Sequence, residues 1–115
     1  MPKRQLKTET TTGMSIPNYP EKLMFLYEHQ NYRCAVCGGY LSFHQALDMH
    51  HKFSRTKWGV KKYPLFIDSI LNLALCHHDC HINKVGDLRI TDYNANKYEL
   101  FLKRHKKIAK FVNFA

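Results

Sequence analysis

The sequence has few acidic residues and no long apolar run. Nine Asp and Glu residues stand against 18 Lys and Arg residues among 115, which gives a formal net charge of +9 and a pI of about 9.5. No apolar segment approaches the ~20 residues that a membrane-spanning helix requires, and no amphipathic segment is free to lie on a bilayer. We therefore expect no membrane partner but a polyanionic one, most simply nucleic acid.

The first residues also lack the apolar core of a secretory signal, so we expect the protein to act in the cytoplasm. In that reducing compartment the four cysteines are expected to be thiols or metal ligands and not disulfides. The length fits one small domain, of a size that often gains stability from a bound metal. No internal repeat or second domain is evident.

The hydrophobic pattern predicts a basic arm followed by one domain with a helix at each end. Residues 1–15 are polar and without periodicity, and we interpret them as a flexible basic arm before a domain over 16–115. Pro20 opens a short helix predicted from Glu21 to Gln30. A final basic helix is predicted over about 92–112, from Tyr93 to Val112, with Thr91 or Asp92 as its N-cap.

Between these helices the pattern predicts strands, which makes the domain α+β. A strand is expected near Ala46 to His51, followed by a basic loop from Lys52 to Lys62. An apolar segment from Tyr63 to Leu75, β-branched in part, suits an extended chain that leads into a helix beginning near Cys76.

Basic residues are concentrated in two segments. The loop 52–62 contains five of them and no acid, and the segment 97–110 contains six with Glu99 as its one acid. Any single lysine is interpreted equally well as part of a solvated surface. Two such clusters in so short a chain favour contact with phosphates.

Four cysteines form two pairs, Cys34 with Cys37 and Cys76 with Cys80. Each pair can donate two thiolates from one turn, and four such ligands suit a structural zinc ion. Gly38 and Gly39 follow the first pair and allow the close backbone approach of such a turn. A redox role for the first pair is disfavoured because no βαβ pattern surrounds it. His77 or His78 remains open as a replacement for one cysteine.

The eight histidines of the chain are also unevenly placed, since five of them fall in two groups. The groups are His50 with His51, and His77 and His78 with His81. Histidine is both a common metal ligand and the side chain that exchanges protons most readily near neutral pH. Asp48, two residues before the first group, is interpreted as a salt-bridge partner or as an alternative metal ligand.

Together these residues resemble the HNH endonucleases, in particular their zinc-clipped branch. The resemblance rests on the His50-His51 pair at a strand end, Asn72 before a helix, and the Cys80-His81 pair within that helix. It extends from Arg33 to Lys84, and the nine-residue step from Asn72 to His81 matches. The three residues between Cys76 and Cys80 depart from the family, in which two are commoner.

The resemblance implies an α+β fold with a ββα-metal core (HNH, or His-Me finger) over residues 33–84. A zinc site of four cysteines would clip this core, and the N- and C-terminal helices would flank it. The implied activity is metal-dependent hydrolysis of phosphodiester bonds in DNA. His50 and His81 would hold a divalent cation (Mg²⁺, Mn²⁺, Ni²⁺ or Zn²⁺), and His51 would act as general base. By the same resemblance, the Asn72 side chain would hold His51 through a hydrogen bond.

Five basic residues are the expected phosphate contacts: Arg55, Lys57, Lys84, Lys103 and Lys107. Small free-standing members of this family are typical of phages and mobile introns, so the host cytoplasm, a dimer or a phage or intron partner protein is the implied setting.

Three alternatives stay open: an HNH-fold ribonuclease, a non-catalytic zinc module that binds nucleic acid, and a zinc-bound protein-interaction module. His51 and Asn72 favour the nuclease, because a zinc clip alone does not need them. The charge of +9 has no evident purpose in a module that binds only proteins.

Overall fold

The computed structural model describes residues 16–83 and 88–115. The arm predicted over 1–15 and the phosphate contact predicted at Lys84 lie outside this part of the chain. Across the described ranges, no helix is both long and apolar enough to cross a membrane.

An antiparallel hairpin forms the centre of the fold. Strand β1 (Leu47–His51) pairs with strand β2 (Leu73–His77), in a register that places Leu47 opposite His77 and His51 opposite Leu73. Successive side chains of a strand point to opposite faces. Met49 therefore lies on the apolar face of the hairpin, whereas Asp48 and His50 lie on the other face. Strands and helices together confirm the small α+β architecture that the sequence predicts.

Helix α1 (Tyr19–His29) has a proline in its first turn and covers the apolar face of the hairpin. Gln30, directly after this helix, accepts a hydrogen bond from the N–H of Leu75 and donates one to its carbonyl oxygen, at 2.8 and 2.9 Å. A side-chain amide thus pairs with β2 as a neighbouring strand would. The buried residues of this first core are Leu26, Cys34, Leu41, Met49, Leu73, Leu75 and Cys76.

The connection between the strands contains a helix where the sequence analysis predicts only a basic loop. Helix α2 (Lys57–Lys62) begins after Thr56, whose hydroxyl accepts a hydrogen bond from the N–H of Gly59. Such a cap stabilises the first turn of a helix. Turns follow, and a 3₁₀ helix (Ile70–Asn72) leads directly into β2.

Helix α3 (His78–Asn83) follows β2 without a loop. The prediction of a helix beginning near Cys76 is wrong by two residues, because β2 continues through His77 in order to complete its pairing with Leu47. The order strand, strand, helix holds, and it brings α3 against the hairpin.

The C-terminal segment forms two helices, α4 (Asp92–Arg104) and α5 (Lys106–Asn113). The predicted N-cap Thr91 accepts a hydrogen bond from the N–H of Asn94 at 3.2 Å. The predicted single helix is interrupted at His105, whose φ of −123° and ψ of 73° are not helical. Leu102 and Ala109 are both buried and lie seven positions apart, so the apolar periodicity continues across the break and does not reveal it. The second core contains Tyr63, Phe66, Ala95, Leu102, Ala109 and Val112.

Candidate metal centre and histidine face

Four metal-ligating side chains converge where the first cysteine turn meets the end of β2. The sulfurs of Cys34, Cys37 and Cys80 and a ring nitrogen of His77 all lie within 4.8 Å of one another. The Nδ1 atom of His77 is 3.4 Å from the Cys37 sulfur and 3.8 Å from the Cys80 sulfur. Tetrahedral ligands around zinc, bound at about 2.0–2.3 Å, lie roughly 3.4–3.8 Å apart. This group can therefore bind a metal ion, and its ligand set is that of a structural zinc.

The ring of His77 is already oriented for ligation. Its Nε2 atom lies 3.0 Å from the carbonyl oxygen of Tyr40 and donates a hydrogen bond to it. This contact leaves Nδ1 as the nitrogen with a free lone pair, directed at the sulfurs. Gly38, with a φ of 76°, gives the cysteine turn its left-handed step.

The thiols of Cys34 and Cys80 differ in how readily they ionise. Burial would raise the pKa of Cys34, but hydrogen bonds from the backbone of Cys37, His77 and Val36 outweigh it and lower this pKa to about 6. Desolvation and the nearby sulfurs of Cys37 and Cys34 raise the pKa of Cys80 to about 11. Sulfurs this close ionise together only when a cation compensates their charge, which is what bound zinc provides.

Cys76 does not belong to this cluster, which corrects the predicted site of four cysteines. Because side chains alternate along β2, Cys76 points to the face opposite His77. Its sulfur is buried and lies 3.7 Å from the carbonyl oxygen of Asp48. His77 takes the fourth position, as the sequence analysis left open. Two residues separate His77 from Cys80, so the unusual spacer between Cys76 and Cys80 no longer matters for ligation.

A second group of polar side chains lies on the face of the hairpin that α3 covers. Asp48 accepts hydrogen bonds from Nδ1 of His81 at 2.7 Å and from Nδ1 of His78 at 2.8 Å. Burial would raise the pKa of Asp48, but these hydrogen bonds from His81 and His78 outweigh it and lower the pKa. The rings of His50 and His81 meet edge to face, with their centroids 5.1 Å apart. We call Asp48, His50, His78 and His81 the histidine face.

His50 is the least satisfied member of the histidine face. Its Nε2 atom and Nη1 of Arg55 are the two buried side-chain atoms without a hydrogen-bond partner in the described part of the chain. Burial, followed by the charges of His81 and His51, lowers the pKa of His50 to about 4. His50 is therefore neutral at pH 7, and none of the described residues forms a hydrogen bond with its Nε2 atom.

His51 points away from His50, because the two are consecutive residues of β1. Its Nε2 atom donates a hydrogen bond of 2.8 Å to Oδ1 of Asp68. Arg55 binds both oxygens of the same carboxylate, with Nε 2.8 Å from Oδ1 and Nη2 2.9 Å from Oδ2. Burial would raise the pKa of Asp68, but the bonds from His51 and Arg55 lower it to about 2.

Asn72 does not hold His51 through its side chain, contrary to the role that the resemblance implies. Its Oδ1 atom accepts from the N–H of Phe53 at 2.7 Å, and its Nδ2 atom donates to the carbonyl oxygens of Phe53 and Ile67. Asn72 is fully buried and fixes the loop two residues beyond His51. The side chain that contacts His51 is Asp68, which the sequence analysis missed. No local motif marks this residue, because it lies 17 positions away.

The predicted phosphate contacts are divided among several environments. Lys57, Lys103 and Lys107 have exposed side chains on α2, α4 and α5. The predicted contact between Arg55 and phosphate needs correction, because the Arg55 side chain is 6% exposed and Asp68 binds its guanidinium.

No protein-family model matches the chain, and neither does a curated protein or a solved structure.

Proposed function

We propose that the chain is a metal-dependent endonuclease of the HNH type, with a structural zinc at Cys34, Cys37, His77 and Cys80. The proposal rests on the resemblance in sequence order and on one structural observation. That observation is the buried, unpartnered Nε2 atom of neutral His50, beside the ring of His81. A buried ring nitrogen without a hydrogen-bond partner is costly, which favours a ligand that the described residues do not supply.

His50 and His81 are the residues proposed to hold a divalent cation. Asp48 accepts a hydrogen bond from Nδ1–H of His81 and so leaves Nε2 of that ring as a potential ligand. When bound, the cation would compensate charge on the scissile phosphate and on the leaving oxygen. Imidazole ligands suit Ni²⁺ or Zn²⁺, and a site completed by water and phosphate oxygens also admits Mg²⁺ or Mn²⁺.

His51 is the proposed general base, which takes a proton from the attacking water. A neutral imidazole near pH 7 is well suited to this step. The His51 side chain is 14% exposed, so one edge of the ring remains accessible. His51 is the last residue of β1, so the proposed site would have to lie at the end of this strand, within reach of both its ring and the histidine face.

DNA is the proposed substrate, because the HNH family mostly cuts DNA and the chain carries a net charge of +9. The exposed Lys57, Lys103 and Lys107 are candidates for contact with the phosphate backbone. A dimer, or a partner protein of a phage or mobile intron, would supply specificity that a chain of this size has little room to encode.

Cleavage of supercoiled plasmid by zinc-loaded protein with Mg²⁺, Mn²⁺ or Ni²⁺ tests the proposal. We expect His51→Ala to lower the rate about 100-fold or more. His44→Ala, at an exposed histidine outside every site described, should keep the full rate. Equal cleavage by wild type and His51→Ala, or none with any of the metals, would overturn the mechanism.

Two further outcomes separate the alternatives. Cleavage of single-stranded RNA but not of plasmid would indicate the ribonuclease. Retention of DNA binding and zinc without any cleavage would indicate the non-catalytic module.

A further inference from the structure

The turn between α2 and the 3₁₀ helix is held by buried polar side chains from three separate parts of the chain. All three of these side chains are at most 2% exposed, and each binds a backbone atom of residues 65–68. Glu99 accepts from the N–H groups of Leu65 and Phe66, Asn72 donates to the carbonyl oxygen of Ile67, and Lys22 donates to that of Asp68.

Such an arrangement is unusual because burying a charged group costs free energy unless it is well paired. The Nζ atom of Lys22 lies 2.6 Å from the carbonyl oxygen of Asp68, and burial lowers the pKa of this lysine. Two ionisable side chains, Lys22 and Glu99, are thus buried in order to fix one turn. Because burying these charged groups costs free energy, we infer that the position of this turn matters for more than packing.

The turn places the Asp68 carboxylate beside the His51 ring. The Asp68 side chain is 10% exposed, and its Oδ1 atom is shared between Nε2 of His51 and Nε of Arg55. An ion pair with Arg55 alone would not require the imidazole. Arg55 fixes the plane of the carboxylate through two bonds, so Oδ1 has a defined direction towards the ring.

We infer that Asp68 is a positioning residue for His51, which keeps the proton on Nε2 and directs Nδ1 to the reacting water. The inference rests on the proposed function, in which His51 is the general base. A carboxylate can only accept, so the ring nitrogen that faces it must carry the hydrogen. In neutral His51, Nδ1 is then the one atom able to take a proton from water.

Nitrogen-15 NMR of zinc-loaded protein with labelled histidine tests the geometry without any activity. We expect the His51 ring, assigned by its absence in His51→Ala, to be the Nε2–H tautomer with a downfield, slowly exchanging proton. In Asp68→Asn this proton signal should move upfield or disappear, because a neutral amide is a weaker acceptor. A wild-type ring protonated on Nδ1 would overturn the inference, and this readout decides the matter even if Asp68→Asn does not fold.

Plasmid cleavage then tests the role. Asp68→Asn should lower kcat about 10- to 100-fold with KM changed less than about twofold, because Asp68 acts through His51 and does not bind DNA. Glu28→Gln, which neutralises an exposed carboxylate on α1, should leave both constants unchanged. An unaltered kcat in folded Asp68→Asn would also overturn the inference. A wild-type protein that cuts nothing but shows the Nε2–H tautomer would refute the proposed function and not the contact.

Discussion

The two ends of the central hairpin are stabilised in different ways. At one end, where His77 pairs with Leu47, the side chains of Cys34, Cys37 and Cys80 gather around a space suited to a metal ion. At the other end, where His51 pairs with Leu73, Asp68 and its partners form a buried network of hydrogen bonds. The first end has the ligands for an ion from solution, whereas the second is built from groups that the chain itself provides.

The two ends therefore suit different tasks, one the stabilisation of the fold and the other the orientation of a side chain. A zinc cluster secures a small fold with few residues, but its ligands are then committed to the ion. A network of buried hydrogen bonds orients one particular side chain, and each buried polar group without a partner lowers the stability of the fold. The end that orients His51 is accordingly the one built from paired polar groups.

The largest expected effect comes from breaking the metal end. Cys80→Ala should abolish stoichiometric zinc binding and lower the free energy of unfolding by several kcal/mol, because zinc binding is coupled to folding in small domains. Zinc content by elemental analysis and thermal unfolding by circular dichroism measure both effects.

Cys76→Ala is the matched control, since it removes the other cysteine of the same pair. It should retain one zinc per chain and lose only about 1–2 kcal/mol from a small cavity. Loss of zinc in Cys76→Ala and not in Cys80→Ala would restore the assignment of four cysteines and refute the one in which His77 is the fourth ligand.

An intermediate effect is expected at the polar end. Asn72→Ala removes the three hydrogen bonds of a fully buried side chain and leaves the N–H of Phe53 without its partner, which should cost about 3 kcal/mol. Zinc content should not change, because the metal end is separate. Urea unfolding monitored by tryptophan fluorescence gives the free energy.

Asn83→Ala serves as the comparison for this variant, because its exposed amide makes one hydrogen bond, to the carbonyl oxygen of Asp79. It should cost well under 1 kcal/mol. If Asn72→Ala also released zinc, the two ends would form a single cooperative unit.

The smallest expected effect is a pH dependence at Glu99. Burial raises the pKa of Glu99 despite hydrogen bonds from the backbone of Phe66 and Leu65. The folded state therefore binds this proton more tightly than the unfolded state does, and its contribution is full below the ordinary pKa of about 4.3 and declines as pH rises above it.

Glu99→Gln keeps the oxygen that accepts both N–H groups but does not ionise. Its stability relative to wild type should therefore increase between about pH 4 and pH 7, as measured by urea unfolding of both proteins at each pH. A difference that stays constant, or that changes in the opposite direction, would contradict the raised pKa.

The metal end could largely be predicted from sequence, and the polar end could not. Cys34 stands at a short spacing from Cys37, and Cys80 at a short spacing from Cys76, so local geometry identifies two candidate pairs. The choice between Cys76 and His77 depends on the face of β2 to which each points, and that follows only once the strand is known to extend through His77. The N-terminal helix, the C-terminal helical segment and strand β1 could also be predicted from the periodicity of apolar residues. Neither helix α2 nor the break at His105 changes that periodicity, so neither could be predicted.

At the polar end, contacts join residues that are far apart in the chain. Asp68 reaches His51 across 17 positions, and Lys22 reaches the Asp68 carbonyl oxygen across 46. A lone aspartate or lysine carries no spacing signal, and a buried lysine contradicts the composition rules on which sequence interpretation rests. The implied role of Asn72 as a partner of His51 was wrong because its side chain binds the backbone of Phe53 and Ile67 instead.

The alternation of side chains in β1 has a consequence for how the chain can change in length. His50 and His51 serve opposite sides of one strand, so inserting or deleting a single residue before them within β1 would exchange their destinations. An even change would preserve the sides but shift both rings past their partners. A change of length in the connection from Lys52 to Leu71 would not exchange the two sides in this way. The five positions of β1 therefore tolerate no odd change in length if each histidine is to keep its side of the strand.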